Sequence, residues 1–292
     1  MDSVISYLKI SDINKAKDLL EKAKLQLSSI VSSESVVFSK YYMASAEYRK
    51  VVGPPQEFYN AALMYLAYTP IEQLSEETRY ILATDMALAS ITGEEIFNFG
   101  EVLGTPILNS LTGTPNQWLW GLVLSLHQGD IDQYNLTVDN NRDKYFSQPA
   151  LSTRHESIKQ KVVLISLMNL AFERSSNDRQ ISFFHISQRA KIPIDQVEWV
   201  LMRALSLGLI KGTIDQVDQV VSISWIQPRV LDKTQLSLLN DQLGGWTERF
   251  NILVNSHRIS CVYFNTLSSF YNYYYSLLSL YIASTTFLCN YY

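Results

Sequence analysis

The first 250 residues of this 292-residue chain contain no cysteine; the only two, Cys261 and Cys289, fall near its end. That absence excludes a disulfide framework or a thiolate zinc site from the body of the protein. The chain also lacks a surplus of either charge. Its 24 Lys and Arg stand against 28 Asp and Glu, a formal net of -4, which points to neither a polyanion partner nor an acidic tail. No basic segment leading into an apolar run opens the chain, so no secretory leader is predicted and a cytosolic or nuclear location is the expectation. Histidines are scarce and scattered: His127, His155, His185 and His257 form no His-x-x-x-His metal pair. No Gly-x-Ser-x-Gly elbow or phosphate-cradling glycine loop is present. The carboxylate pairs Glu94-Glu95 and Asp130/Asp132 could serve acid–base chemistry, but helix caps and solvated faces explain them better. The sequence therefore predicts no catalytic residue, no cofactor and no metal.

What is present is clearest between Arg179 and Val230. Ser182 opens a short helix through Phe183, Ile186 and Ala190, and Lys191-Ile192-Pro193-Ile194 makes a turn. A second helix carries Val197, Val200, Leu201, Ala204 and Leu205, the spacing of one buried face. Asp195 with Glu198 three residues later reads as its capping box, and Gly208 as its stop. Two strands follow. Leu209 to Asp215 has Ile210 and Ile214 on one face, and Val220 to Ile226 alternates Val221, Ile223 and Trp225 against Ser222 and Ser224. Helix, turn, helix and hairpin make a winged helix, with Trp225 expected in its core.

A winged helix suggests DNA, so its charges decide. From Asp178 to Pro228 the cations are Arg179, Arg189, Lys191, Arg203 and Lys211; the anions are Asp178, Asp195, Glu198, Asp215 and Asp218. The module is neutral, whereas phosphate binding draws its affinity from clustered Lys and Arg. No nucleic acid is expected, and a protein-interaction module is the better reading.

Upstream, nearly everything reads as paired helices: Asp12–Ile30, Glu34–Val52, Gln56–Tyr68, a helix capped by Ser75 and stopped by Gly93, then shorter ones near Ile96–Leu103, Pro106–Leu111, Asn116–His127 and Ile131–Phe146. His155 to Arg174 is apolar nearly all round and is expected to be buried on several sides. Trp118 and Trp120 are expected in the core, though either could anchor a partner. Helix pairs joined by Gly and Pro turns suggest an α-solenoid with degenerate repeats. The predicted fold class is mostly α: a degenerate α-solenoid of helix pairs followed by a winged-helix module with a small β-sheet. The expected domains are a helical array over 1–176, a winged helix over 177–231, a C-terminal helix over 232–250 and an uncharged tail over 251–292.

Solenoid followed by winged helix resembles the PCI-domain family, the scaffolds of the proteasome lid, the signalosome and translation initiation factor 3. Phe58-Tyr59-Asn60-Ala61-Ala62-Leu63, Gly93-Glu94-Glu95-Ile96-Phe97-Asn98-Phe99-Gly100-Glu101, the run from Ala204 to Asp215, and Trp225-Ile226-Gln227-Pro228-Arg229-Val230-Leu231 are similar to PCI subunits of the proteasome lid in particular. That similarity covers roughly 58–246, with the PCI domain overall about 58–231. It implies a non-catalytic scaffold in ubiquitin-dependent degradation, held beside other lid PCI subunits through winged-helix edges and a bundle of C-terminal helices. On that basis Ser222, Ile223 and Ser224 are expected at a sheet-edge contact, and Leu236, Leu239 and Leu243 as the stripe of the bundle helix. A nucleic-acid-binding regulator, or a PCI scaffold of the signalosome or initiation factor, remains the alternative.

Two departures from the resemblance stand out. It implies further helical repeats before Met1, and one continuous helix after Asp232 where Gly244-Gly245 intervenes, so the helix is expected to end near those glycines. From Ile259 to Tyr292 there is no charged residue. An altered sequence, a loosely packed tail and a membrane anchor all fit that stretch by length and charge, but its Asn, Ser and Thr make a membrane span the weakest of the three.

Overall fold

The computed structural model describes residues 12–29, 35–174 and 179–230, with scattered residues between 236 and 250. The tail from Ile259 onward, with both cysteines, lies outside the described residues. Residues up to Val230 belong to one compact unit, and those from Leu231 to a second.

The chain begins with α1 (Ile13–Ser29), α2 (Ser35–Val52) and α3 (Pro55–Tyr68). Ala16, Leu20, Ala44 and Tyr48 close the first pair in a small cluster of their own. A single-turn 3-10 helix, Ile71–Gln73, leads into α4 (Glu76–Thr92). Ser75 caps α4 by accepting from the Thr78 amide at 3.2 Å, while Glu76 and Glu77 lie in its first turn, where the positive end of the dipole favours them. There follow α5 (Phe99–Gly104), a 3-10 helix (Pro106–Leu111) and α6 (Gln117–Gln128).

The stretch read as one helix from Ile131 to Phe146 is two, α7 (Ile131–Asn140) and α8 (Arg142–Ser147). Asn141 leaves helical geometry at φ -122°, and its side chain turns back to donate to the Thr137 carbonyl at 3.0 Å, the local competition that makes Asn a poor helix-interior residue. The brief α9 (Pro149–Ser152) precedes α10 (His155–Glu173).

α10 is the organising element of the unit. Eleven of its residues are buried, from Ile158 to Ala171, and two of them are polar side chains that terminate other helices. Lys161 Nζ donates to the carbonyls of Ser90 at 2.8 Å, Ile91 at 3.3 Å and Gly93 at 2.7 Å, at the end of α4. Asn169 Nδ2 donates to Gln128 O at 2.7 Å, at the end of α6. The last carbonyls of a helix have no partner within it, and α10 supplies donors for two such ends. Gly129 makes the second approach possible. Its φ is +62°, and a Cβ there would strike the backbone of Ser166.

The winged helix follows without a break in the packing. It comprises β1 (Gln180–Ser182), α11 (Phe183–Ala190), α12 (Ile194–Ser206), β2 (Ile210–Asp215) and β3 (Val220–Ile226). One hydrophobic core runs from Ala46 and Phe58 through Leu122, Leu126 and Leu167 into Ile181, Val197, Leu201 and Ile223. Repeats and winged helix are thus packed as one body up to Val230.

Candidate protein interface

The winged helix is assembled from local signals. Ser182 caps α11, accepting from the His185 amide at 3.4 Å. Lys191 ends that helix in the left-handed region at φ 51°. Asp195 does not cap α12: the helix starts one residue earlier with Pro193 at the N-cap position, whose carbonyl accepts from Gln196 at 3.0 Å. The rigid φ of proline sets the entry without a side-chain acceptor. Asp195 falls in the first turn, and Glu198 instead accepts from Gln216 Nε2 in the wing at 2.9 Å. Gly208, at φ +67°, follows the end of α12 as expected.

The sheet order is β1-β3-β2, antiparallel throughout. β3 is therefore the central strand, which corrects the placing of Ser222, Ile223 and Ser224 at an edge. Ser222 pairs with Gln180 on one side and Thr213 on the other, and Ile223 is buried in the core. Strand β1 is why the expectation failed: with only Ile181 buried among its three residues, it is too short to show alternation in the sequence. The edges among the described residues are β1 and β2.

The register shifts between Lys211 and Gly212, where Lys211 pairs with Trp225 but Gly212 with Ile223. Ser224 is the extra residue of a β-bulge, and its hydroxyl donates to the Lys211 carbonyl at 3.1 Å. A bulge reverses which face each following residue occupies. Val221 and Ile223 point inward, but beyond the bulge Ile226 takes the inner face and Trp225 the outer, 37% exposed. Trp225 is thus a surface residue rather than a core one, and Lys211 Nζ lies 4.8 Å from its ring centre. Gly212 accommodates the bulge because any Cβ there would collide with the Ser222 carbonyl oxygen.

The outward face of α12 carries Trp199 and Met202, both about half exposed, at 49% and 50%. Beside it a cleft of about 410 Å³ opens between α7, α10 and α12, lined by Ile131, Tyr134, Lys159, Ile192, Trp199 and Arg203 among others. The module's cations are largely engaged: Arg189 pairs with Glu173 at 3.0 Å, Lys191 with Asp132, and Lys211 with the Trp225 ring. Beyond Val230, residues 236, 237, 240, 243–245, 247, 248 and 250 are helical. Gly244 and Gly245 are among them, and Thr247 Oγ1 donates to Leu243 O at 2.9 Å, so the two glycines expected to end the helix are themselves helical. The propensity cost of glycine, about 1 kcal/mol each, is a weak prior. Leu236 and Leu243 are half exposed; Leu239 lies outside the described residues.

Asp130 and His155, both considered for chemistry, have structural partners. Asp130 caps α7, accepting from Asp132 at 2.9 Å and Gln133 at 3.2 Å. His155 Nδ1 lies 3.0 Å from Tyr145 Oη, which lies 3.3 Å from Tyr134 Oη; burial pushes the histidine down and Tyr134 and Tyr145 up from their ordinary values. Trp118 is buried and Trp120 packs against the core. Among the described residues no group of His, Cys, Asp and Glu could hold a metal ion, and no helix is long and apolar enough to cross a membrane. A titratable side chain that sequence reasoning missed is Lys161, which stands at the head of the apolar run that begins at Val162. Its Nζ lies 4.9 Å from the Phe99 ring centre and 5.6 Å from that of Phe97. Burial pushes its pKa down to about 7, while the three carbonyls and two ring faces favour the ammonium form.

Comparison with known proteins finds the same two parts elsewhere. Residues 1–123 match PSD13 N-terminal repeats, and residues 132–225 match the PCI domain. The chain carries PSD13-type N-terminal repeats followed by a PCI domain. It is 36% identical over 237 residues to 26S proteasome non-ATPase regulatory subunit 13 of Dictyostelium discoideum, covering 81% of this chain and 62% of that one. Homolog A of the same subunit from Arabidopsis thaliana is 38% identical over 242 residues, 83% of this chain and 63% of the relative. 26S proteasome regulatory subunit RPN9 of Saccharomyces cerevisiae is 34% identical over 253 residues, 85% and 63% of the two chains. The chain thus spans a little under two thirds of the length of these relatives. The PSD13 match takes in α1 to α5 and the first part of α6, and the PCI match runs from α7 through most of β3.

Proposed function

We propose that this chain is a non-catalytic scaffold subunit of the 26S proteasome regulatory-particle lid, working in the cytoplasm and nucleus to support assembly and ubiquitin-dependent degradation. The observation that carries the reading is the joined match to PSD13 repeats and PCI domain, in a chain similar over more than four fifths of its length to proteasome regulatory subunits. The division of labour follows from the fold: repeats as a body, winged helix as connector, and the segment after Val230 as the contribution to a shared helix bundle, with Leu236, Leu239 and Leu243 as its apolar stripe.

The open edge of β2 is the surface that suits a neighbouring PCI subunit, since an unpaired strand recruits another by main-chain hydrogen bonds. Ile223 of β3 donates to the Arg179 carbonyl, on the β1 side. By alternation Ser222 faces β2 and pairs with Thr213, which leaves the Ile214 amide facing away from the sheet. A neutral module, three of whose five cations are engaged within the chain, suits a protein partner better than a nucleic acid.

Affinity purification of the tagged chain from its own cells is expected to recover proteasome lid subunits. Ile214→Pro, which removes an outward amide, and Thr213→Lys, which places a charge on the edge, are each expected to lower that recovery while the melting of the purified chain stays cooperative. Recovery of the unaltered chain alone would refute the scaffold reading; full recovery of both folded variants would refute the edge.

A further inference from the structure

Two stretches that carry the family resemblance meet in space. The Val230 amide donates to Asn98 Oδ1 at 2.9 Å, a bond between residues 132 apart in sequence. Gly100 lies directly beneath the same residue, so that a Cβ on it would collide with the Val230 carbonyl oxygen. One residue earlier, the Arg229 guanidinium lies 5.5 Å from the Phe172 ring centre, and two residues before that the Gln227 amide donates to Leu209 O at 2.8 Å. The strap from Gln227 to Val230 is therefore held along its length, and the first unit ends at Val230.

The turn that holds it is itself fixed from below. Phe97 and Phe99 flank Asn98 and are both buried, and Lys161 of α10 lies against both rings while binding Gly93 O. With its two aromatic neighbours anchored inward, Asn98 is presented outward toward the strap. Gly100 keeps the turn low enough for the strap to cross.

We infer that Asn98 and Gly100 are positioning residues: they clamp the strap and so fix the point at which the chain leaves the winged-helix body for its C-terminal segment. Asn98 supplies the acceptor and Gly100 the clearance, and the two act on the same residue through different physics. The consequence for assembly rests on the reading under Proposed function, in which the C-terminal segment joins a bundle; the clamp itself does not.

The test uses the full chain in four forms: unaltered, Asn98→Leu, Asn98→Asp and Gly100→Ala. Hydrogen–deuterium exchange at Val230 is read on the purified protein, and incorporation into lid particles is read from cells expressing each form. A single intramolecular hydrogen bond contributes about 1 kcal/mol net, so Asn98→Leu is expected to speed Val230 exchange about fivefold. Gly100→Ala is expected to do the same by displacement, and Asn98→Asp, which keeps an acceptor oxygen, to restore slow exchange. The two loosening variants are expected to enter lid particles at less than half the unaltered level, with Asn98→Asp near it. Unchanged exchange in both loosening variants overturns the clamp, as does failure of Asn98→Asp to rescue. Faster exchange with full incorporation overturns its role in assembly. If the unaltered chain itself never enters lid particles, the proposed function falls, while the exchange result is decided on the purified protein alone.

Discussion

Replacing Lys161 with methionine isolates the energetics of the contact between α10 and the end of α4. The wild-type ammonium is buried and its pKa is pushed down from 10.5 to about 7, a cost of about 5 kcal/mol for holding the charge inside the fold. Methionine removes that cost and keeps much of the volume. It leaves the carbonyls of Ser90 and Gly93 without their ammonium donor, at about 1–3 kcal/mol each. The two effects nearly offset, so at pH 7 the variant is expected to lie within about 2 kcal/mol of the parent. The pH dependence separates them. The unfolded chain keeps the Lys161 proton to near pH 10.5, whereas the folded chain releases it near 7. Between those values the unfolded state binds more protons, and wild-type stability rises with pH. From pH 7 to pH 9 that gain is about 2 kcal/mol, and the methionine variant lacks it. Urea denaturation of both proteins at pH 7, 8 and 9 reads the difference directly, because every other titrating group cancels. Parallel stability curves would refute the account of Lys161 as a charge held inside at a cost.

Gly212→Ala is expected to destabilise by about 1–3 kcal/mol, because its Cβ has no room beside the Ser222 carbonyl; a thermal midpoint equal to wild type would show that the bulge yields freely. Ser182→Ala removes the acceptor for the His185 amide at the start of α11 and is expected to cost about 1 kcal/mol, read as a lower denaturation midpoint with an unchanged slope.

The long elements were legible because each carries its periodicity and its stop signals in one window. α12 shows five apolar residues at helical spacing and Gly208 after them, and α10 shows its near-continuous apolar run. What stayed hidden depends on partners far away in sequence. A three-residue strand such as β1 has no alternation to read; it exists because Gln180 to Ser182 finds β3. The bulge at Ser224 is invisible in the pattern Val221, Ile223, Trp225, which alternates correctly until pairing with Lys211 shifts the register. Pro193 displaced Asp195 as the cap because backbone geometry at the turn, rather than an available acceptor, set the first helical residue. Of the interface, the module and the neutrality of its charges were readable. Which strand lies at the edge was not, since strand order is a property of the folded sheet.

The sheet has unequal margins. β1 offers three residues and β2 six, so a row of such modules joined margin to margin has a direction, the heterologous kind of contact that propagates rather than closes in pairs. A neighbour's strand laid along β2 has about twice the length of backbone available to one laid along β1. In such a row each joint would set a three-residue margin against a six-residue one, so the shorter margin would limit every contact.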